Sequence, residues 1–156
     1  MAHRKHALGL LQRSQNIFET LPFPTQDFDE ENEIAAAHIE FLEENEKCFH
    51  SNHPVGHFTA SSLIVDKTFS RVLLTHHKKL NMWLQLGGHA DGNSQIHETA
   101  MREAKEESGL TNIHFVNIDA LKDPEDNDLP LPFDLDYHRI PKRKEMEAHI
   151  HYDFDL

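Results

Sequence analysis

One cysteine, Cys48, stands in 156 residues, so no intrachain disulfide can form and the chain suits a reducing compartment, the cytoplasm. Long hydrophobic runs are missing. The apolar stretch inside the basic opening MAHRKHALGLLQRSQ is too short for a signal-peptide core, and no segment reads as a bilayer span. Positive charge is scarce, with 15 Lys and Arg against 27 Asp and Glu and a formal net charge of −12. That balance repels polyanions and argues against duplex nucleic acid or a membrane as partner, and a phosphorylated ligand needs metal ions as intermediaries. The length fits one domain with a real core and a small extension, read as a soluble intracellular protein.

What is present in quantity is acid, and it is most ordered in REAKEES, residues 102–108. Glu103, Glu106 and Glu107 fall at i, i+3 and i+4 and so share one helical face. Like charges so placed repel unless a cation sits among them, and hard oxygen ligands at this density suit Mg²⁺ or Mn²⁺. Arg102 precedes them, with Glu98 one turn earlier as an i, i+4 partner, and Ala100, Met101, Ala104 and Ser108 supply a less polar face that can pack on a sheet. Upstream, MWLQL at 82–86 reads as a short strand running into a Gly87-Gly88 turn, where a glycine lets the backbone approach a metal closely.

The stretch Gly88–Leu110 resembles the Nudix box, G-x5-E-x7-R-E-U-x-E-E-x-G-U with U apolar, at Gly88, Arg102, Glu103, Ala104, Glu106, Glu107, Gly109 and Leu110. One position departs: Ser94 stands in place of the first glutamate, and its hydroxyl reads as the N-cap of the helix. The resemblance implies an α/β fold, a Nudix-type α/β/α sandwich with a mixed sheet, here with an N-terminal helical extension. It implies metal ligation by Gly88 (through its carbonyl), Glu103, Glu106 and Glu107, and catalysis through Arg102, Glu103 and Glu106, with Arg102 orienting a carboxylate. His89, beside the expected phosphate site, reads as a substrate contact. The proton of the attacking water would go to a box glutamate or to a loop residue such as Glu145 or Glu147.

The remaining chain divides into a helical extension, 1–50, and a Nudix domain, 51–156, expected to be incomplete at its C-terminal end. Leu8, Leu11, Ile17 and Phe18 suggest a first helix ending at Pro22 and Pro24. Asp27 or Asp29 could cap a second, whose apolar stripe is Ile34, His38, Phe41 and Leu42. HSNHPVG, 50–56, reads as a linker. HFTASSLIV at 57–65 and RVLLTHH at 71–77 suggest a hairpin, NIHFVNID at 112–119 a strand, KDPEDNDLPLP a loop and FDLDYHRI another strand. In AHIHYDFDL, Ile150, Tyr152, Phe154 and Leu156 alternate with His149, His151, Asp153 and Asp155, a half-buried strand whose neighbours are not evident and which is expected to promote association.

Fourteen histidines raise a zinc reading built on His149 and His151 or on His76 and His77, but neither Cys pairs nor helical His-x3-His spacing accompany them. Exposed, partly titrating histidines are the plainer expectation. Trp83 is expected in the core, and His76–Lys79 as a polar hairpin end. Three functions follow: Mg²⁺- or Mn²⁺-dependent hydrolysis of a nucleoside diphosphate linked to another group, by water attack at phosphorus; a Nudix-fold nucleotide-binding or regulatory module without activity; or a histidine-rich metal-binding protein. The partner of the first two is a small nucleoside diphosphate derivative, and the composition leaves room for a homodimer.

Overall fold

The computed structural model describes residues 2–18, 28–116, 118–143 and 146–156. Helix α1, Ala2–Phe18, packs on α2, Phe28–Glu44, through Ala7, Leu10 and Leu11, all fully buried. The stripe expected on α2 is the face it buries: His38, Phe41 and Leu42 are in the core, Ile34 packs against it, and Glu40, Glu43 and Glu44 point to water. Pro22, Pro24 and Asp27 lie outside the described residues, while Asp29 falls inside the first turn of α2 rather than before it.

Strand β1, Gly56–Ser62, follows the 50–56 stretch; just before that stretch Cys48 and Phe49 are buried, and the Phe58 N–H donates to the Cys48 carbonyl at 2.8 Å. Two small hairpins come next, β2 (Ile64–Val65) with β3 (Val72–Leu73), and β4 (Thr75–His77) with β5 (Met82–Leu84). The expected strand at 82–86 is therefore split: β6, Leu86–His89, is separate and pairs antiparallel with β1. Gly87 and Gly88 sit within β6 rather than in a turn, and the turn comes later, at Asp91 and Gly92, whose φ values are 50° and 88°. Trp83 is not in the core; it is 66% exposed on β5, its ring 5.0 Å from His76, in a hairpin that forms a two-stranded sheet of its own rather than joining the four-stranded one. Lys78 and Lys79 occupy the hairpin tip, as a polar hairpin end should.

Helix α3, Ile96–Ser108, carries the acidic turn and ends at Gly109, left-handed with φ 70°. Residues 112–116 form no strand; Phe115 lies against His97 instead. Conversely the expected loop KDPEDNDLPLP contains a hairpin, β7 (Lys122–Asp123) with β8 (Asp126–Pro130). Then come β9, Asp134–Ile140, and β10, His149–Asp155.

The sheet order is β6-β1-β10-β9, with β1 and β10 parallel and the other pairs antiparallel. A mixed sheet with helices packed on it and an N-terminal helical region is the α/β/α class that the box resemblance implies. Strand β10 is not the unpaired strand expected from the sequence, because it lies between β1 and β9. Its register places Tyr152 and Phe154 beside Phe58 and Ala60 on one face, where His38 and Phe41 of α2 cover them. Helix α3 joins the same apolar face, with Ile96 and Ala100 in the core and the Ser62 hydroxyl donating to the Ala100 carbonyl. The second face is polar. It aligns His57, Thr59 and Ser61 of β1 with His151, Asp153 and Asp155 of β10, and these with His138, Asp136 and Asp134 of β9.

Candidate active site

The box meets the sheet at Gly88. A Cβ built there would lie 2.5 Å from Glu103 Cδ and under 3 Å from both carboxylate oxygens, so Glu103 rests on the strand only because residue 88 has no side chain. Arg102 Nη1 donates to Glu103 Oε1, and Nη2 donates to the His89 carbonyl oxygen at 2.8 Å. Glu106 Oε2 is 3.6 Å from Arg102 Nη1. Glu107 Oε2 accepts from the Gly87 N–H at 3.3 Å. All three glutamates and Arg102 thus gather where α3 crosses β6. Arg102 does not pair with Glu98, whose carboxylate accepts from Asn93 Nδ2 at 2.9 Å.

Exposure grades the carboxylates: the Glu103 side chain is 15% exposed and that of Glu106 63%. Ser94 is not the N-cap expected from sequence. Gln95 takes the N-cap position with no side-chain bond; Asn93 Oδ1 accepts the Gln95 N–H at 2.9 Å, and Ser94 is buried. The loop before the helix therefore turns on an Asx-type contact one residue earlier than the hydroxyl. Glu145 lies outside the described residues. Glu147 is bound by Lys142 at 2.6 Å and precedes β10 at the Gly56 end of β1, whereas Gly88 aligns with Ala60, so Glu147 is not brought to the acidic corner.

His89 is adjacent to Gly88 but points the other way. Its ring packs against those of His57 and His151, at 4.7 and 5.2 Å, on the polar face. This face holds groups that the sequence reading passed over. Asp153 accepts from the hydroxyls of Thr59 at 2.6 Å and Ser61 at 2.5 Å, yet burial holds its carboxyl above the ordinary carboxylate value. Asp155 is pushed up to about 7, first by burial and then by Asp153, Asp134 and Asp136. The histidines differ from expectation as well: His57 is fully buried and His149 nearly so, because the strand alternation that exposes one residue to the apolar core turns its neighbour into this packed polar layer. Burial foremost, with neighbouring imidazoles adding, lowers His57 to about 4 and His151 to about 3. Alternation in GHFTASS is a signal that puts His57 with Thr59 and Ser61 on one strand face, while its meeting with His149 and His151 comes from the β1–β10 pairing. His76 and His77 are on a different hairpin and do not join them.

The chain matches the NUDIX domain over residues 56–147, more than half its length, and so belongs to the Nudix family. The general chemistry of that family is hydrolysis of nucleoside diphosphates linked to a second group. No curated protein matches the chain. Among the described residues no helix is long and apolar enough to cross a membrane.

Proposed function

We propose that this chain is a divalent-metal-dependent pyrophosphohydrolase that cleaves a nucleoside diphosphate linked to another group, with water attacking phosphorus. The observation that carries the reading is the seat of Glu103 on Gly88, held by an arginine that is itself anchored to the strand. The donor set fits Mg²⁺ or Mn²⁺: carboxylates of Glu103, Glu106 and Glu107 with the Gly88 carbonyl would hold the ion, all hard oxygens. A bound divalent ion supplies neutralisation of the non-bridging phosphate oxygens and a lowered pKa for a water.

The protein's own part is positional and acid–base. Arg102 is a positioning residue: it fixes the Glu103 carboxylate and offsets repulsion among three like charges. Glu107, bonded to the Gly87 N–H, sets the distance between helix and strand. Glu106 reaches solvent and is the carboxylate we assign to accept the water proton. The His89 ring, turned to the opposite face, has no part in this assignment.

The test is product release from a panel of diphosphate compounds with Mg²⁺ and with Mn²⁺. Glu106→Gln and Glu107→Gln should each lower turnover by about a hundredfold, the scale for loss of an electrostatic element at a reacting centre. Near wild-type turnover at limiting Mg²⁺ in either variant would remove that residue from the site. Ser94 at the first-glutamate position favours the second reading, a nucleotide-binding or regulatory module; saturable nucleotide binding without any product would establish it.

A further inference from the structure

We propose that His57, His149 and His151 form a second metal site, of the nitrogen-ligated Zn²⁺ class, on the sheet face opposite the acidic corner. Among the described residues these three alone bring three potential ligand atoms together, all within 4.8 Å of one another. The site fastens neighbouring parallel strands, since His57 and His151 are register partners on β1 and β10 and His149 lies two residues along.

Three observations point to a ligand. First, His57 is fully buried and neither ring nitrogen has a hydrogen-bond partner, although a buried imidazole nitrogen ordinarily has one. Second, His149 Nδ1 sits 2.9 Å from the Glu147 carbonyl oxygen, which can only accept, so Nδ1 carries the proton and Nε2 presents a lone pair. A backbone carbonyl holding the far nitrogen in this way is how proteins orient metal-ligating histidines. Third, His149 Nε2 and His151 Nε2 are 3.3 Å apart. Two nitrogens at Zn–N distances of about 2.0–2.1 Å in a tetrahedron are separated by about 3.3–3.4 Å, so this pair already spans one tetrahedral edge. His57, stacked on His149 at 5.0 Å between ring centres and 4.6 Å from His151, supplies the third ligand. His89, in ring contact with His57 and His151, borders the fourth position, open to its nitrogen or to a water.

Nitrogen ligands select a borderline transition ion over Mg²⁺, whose hard oxygen preference sends it to the glutamates instead. The two sites are therefore separable by metal as well as by residue. The proposal does not rest on the hydrolase reading.

The experiment uses the full chain, stripped of metal with a chelator and titrated with Zn²⁺ under saturating Mg²⁺, read by calorimetry and by thermal melting. Uptake of one equivalent with a melting point raised by several degrees is expected. His149→Ala and His151→Ala should each weaken this uptake tenfold or more. Glu103→Gln, Glu106→Gln and the exposed-pair variant His76→Ala/His77→Ala should leave it unchanged. Should the histidine variants fail to fold, long-range ¹H–¹⁵N spectra of the wild type decide: zinc must move the imidazole nitrogens of His57, His149 and His151. Absence of uptake by the wild type, uptake indifferent to both histidine variants, or shifts confined to exposed histidines would overturn the proposal.

Discussion

Arg102 Nη2 donates to the carbonyl oxygen of His89 at 2.8 Å while its other terminal nitrogen binds Glu103, so a single guanidinium ties the helix carboxylate to the strand beneath it. Arg102→Lys keeps the charge but loses the planar fork that makes both bonds at once. The expected result is a ten- to hundredfold loss of apparent Mg²⁺ affinity in turnover, about the cost of removing a group that orients a metal ligand. Thermal melting should shift little, and a rise in the half-saturating Mg²⁺ concentration is the quantity to measure.

Gly88→Ala separates stability from activity. The new methyl group would collide with the Glu103 carboxyl group, the far end of a flexible side chain that can swing aside. The melting point should therefore change only slightly, whereas turnover should fall by about a hundredfold because Glu103 no longer rests where it is needed. A variant that melts normally and turns over normally would show that the Gly88–Glu103 contact is incidental.

At the start of α3 the carboxamide of Asn93 is the working group, accepting from the Gln95 N–H and donating to Glu98. Asn93→Ala should cost about 1 kcal/mol of stability, as lost helix-entry contacts do. Ser94→Ala should cost less. Denaturant titration of the two variants side by side checks the order, and the reverse order would restore Ser94 as the capping residue.

Asp155 gives a pH dependence with a definite sign. Its carboxyl is pushed from 3.8 to about 7, so the folded protein holds a proton there that the unfolded chain releases. The stabilising contribution is present below the ordinary value and is lost as the pH rises through about 7. Asp155→Asn removes the ionisation while keeping an oxygen for Gln85 Nε2 to donate to. The variant should melt several degrees above wild type at pH 8 and close to it at pH 4, measured by scanning calorimetry. Equal shifts at both pH values would contradict the buried-carboxyl assignment.

The acidic turn was legible from sequence because a metal-ligating set on one helix is a local pattern, fixed by the 3.6-residue repeat alone. Glu103, Glu106 and Glu107 needed no tertiary information to be grouped. The seat at Gly88 was half legible: its closeness to the site could be anticipated, but its place inside β6 depends on pairing with Ala60. Trp83 was not legible because whether a short apolar strand is covered depends on which sheet its hairpin joins. His149 and His151 were paired from the alternation of their strand, but His57 could not be added to them from sequence for the same reason. His57 and His151 are 94 positions apart, and only the parallel pairing of β1 with β10 makes them neighbours.

That parallel pairing also sets the timing of assembly on the ribosome. Synthesis delivers β1, with its fully buried Phe58, long before β10, the strand that must lie beside it and separate it from β9. Loop closure over such a span is entropically costly, and topologies dominated by distant pairings fold slowly. Before residues 149–155 are made, α1, α2, β6 and α3 are already in the chain, so Phe41, Phe49 and the β6 pairing with β1 can cover Phe58 ahead of β10.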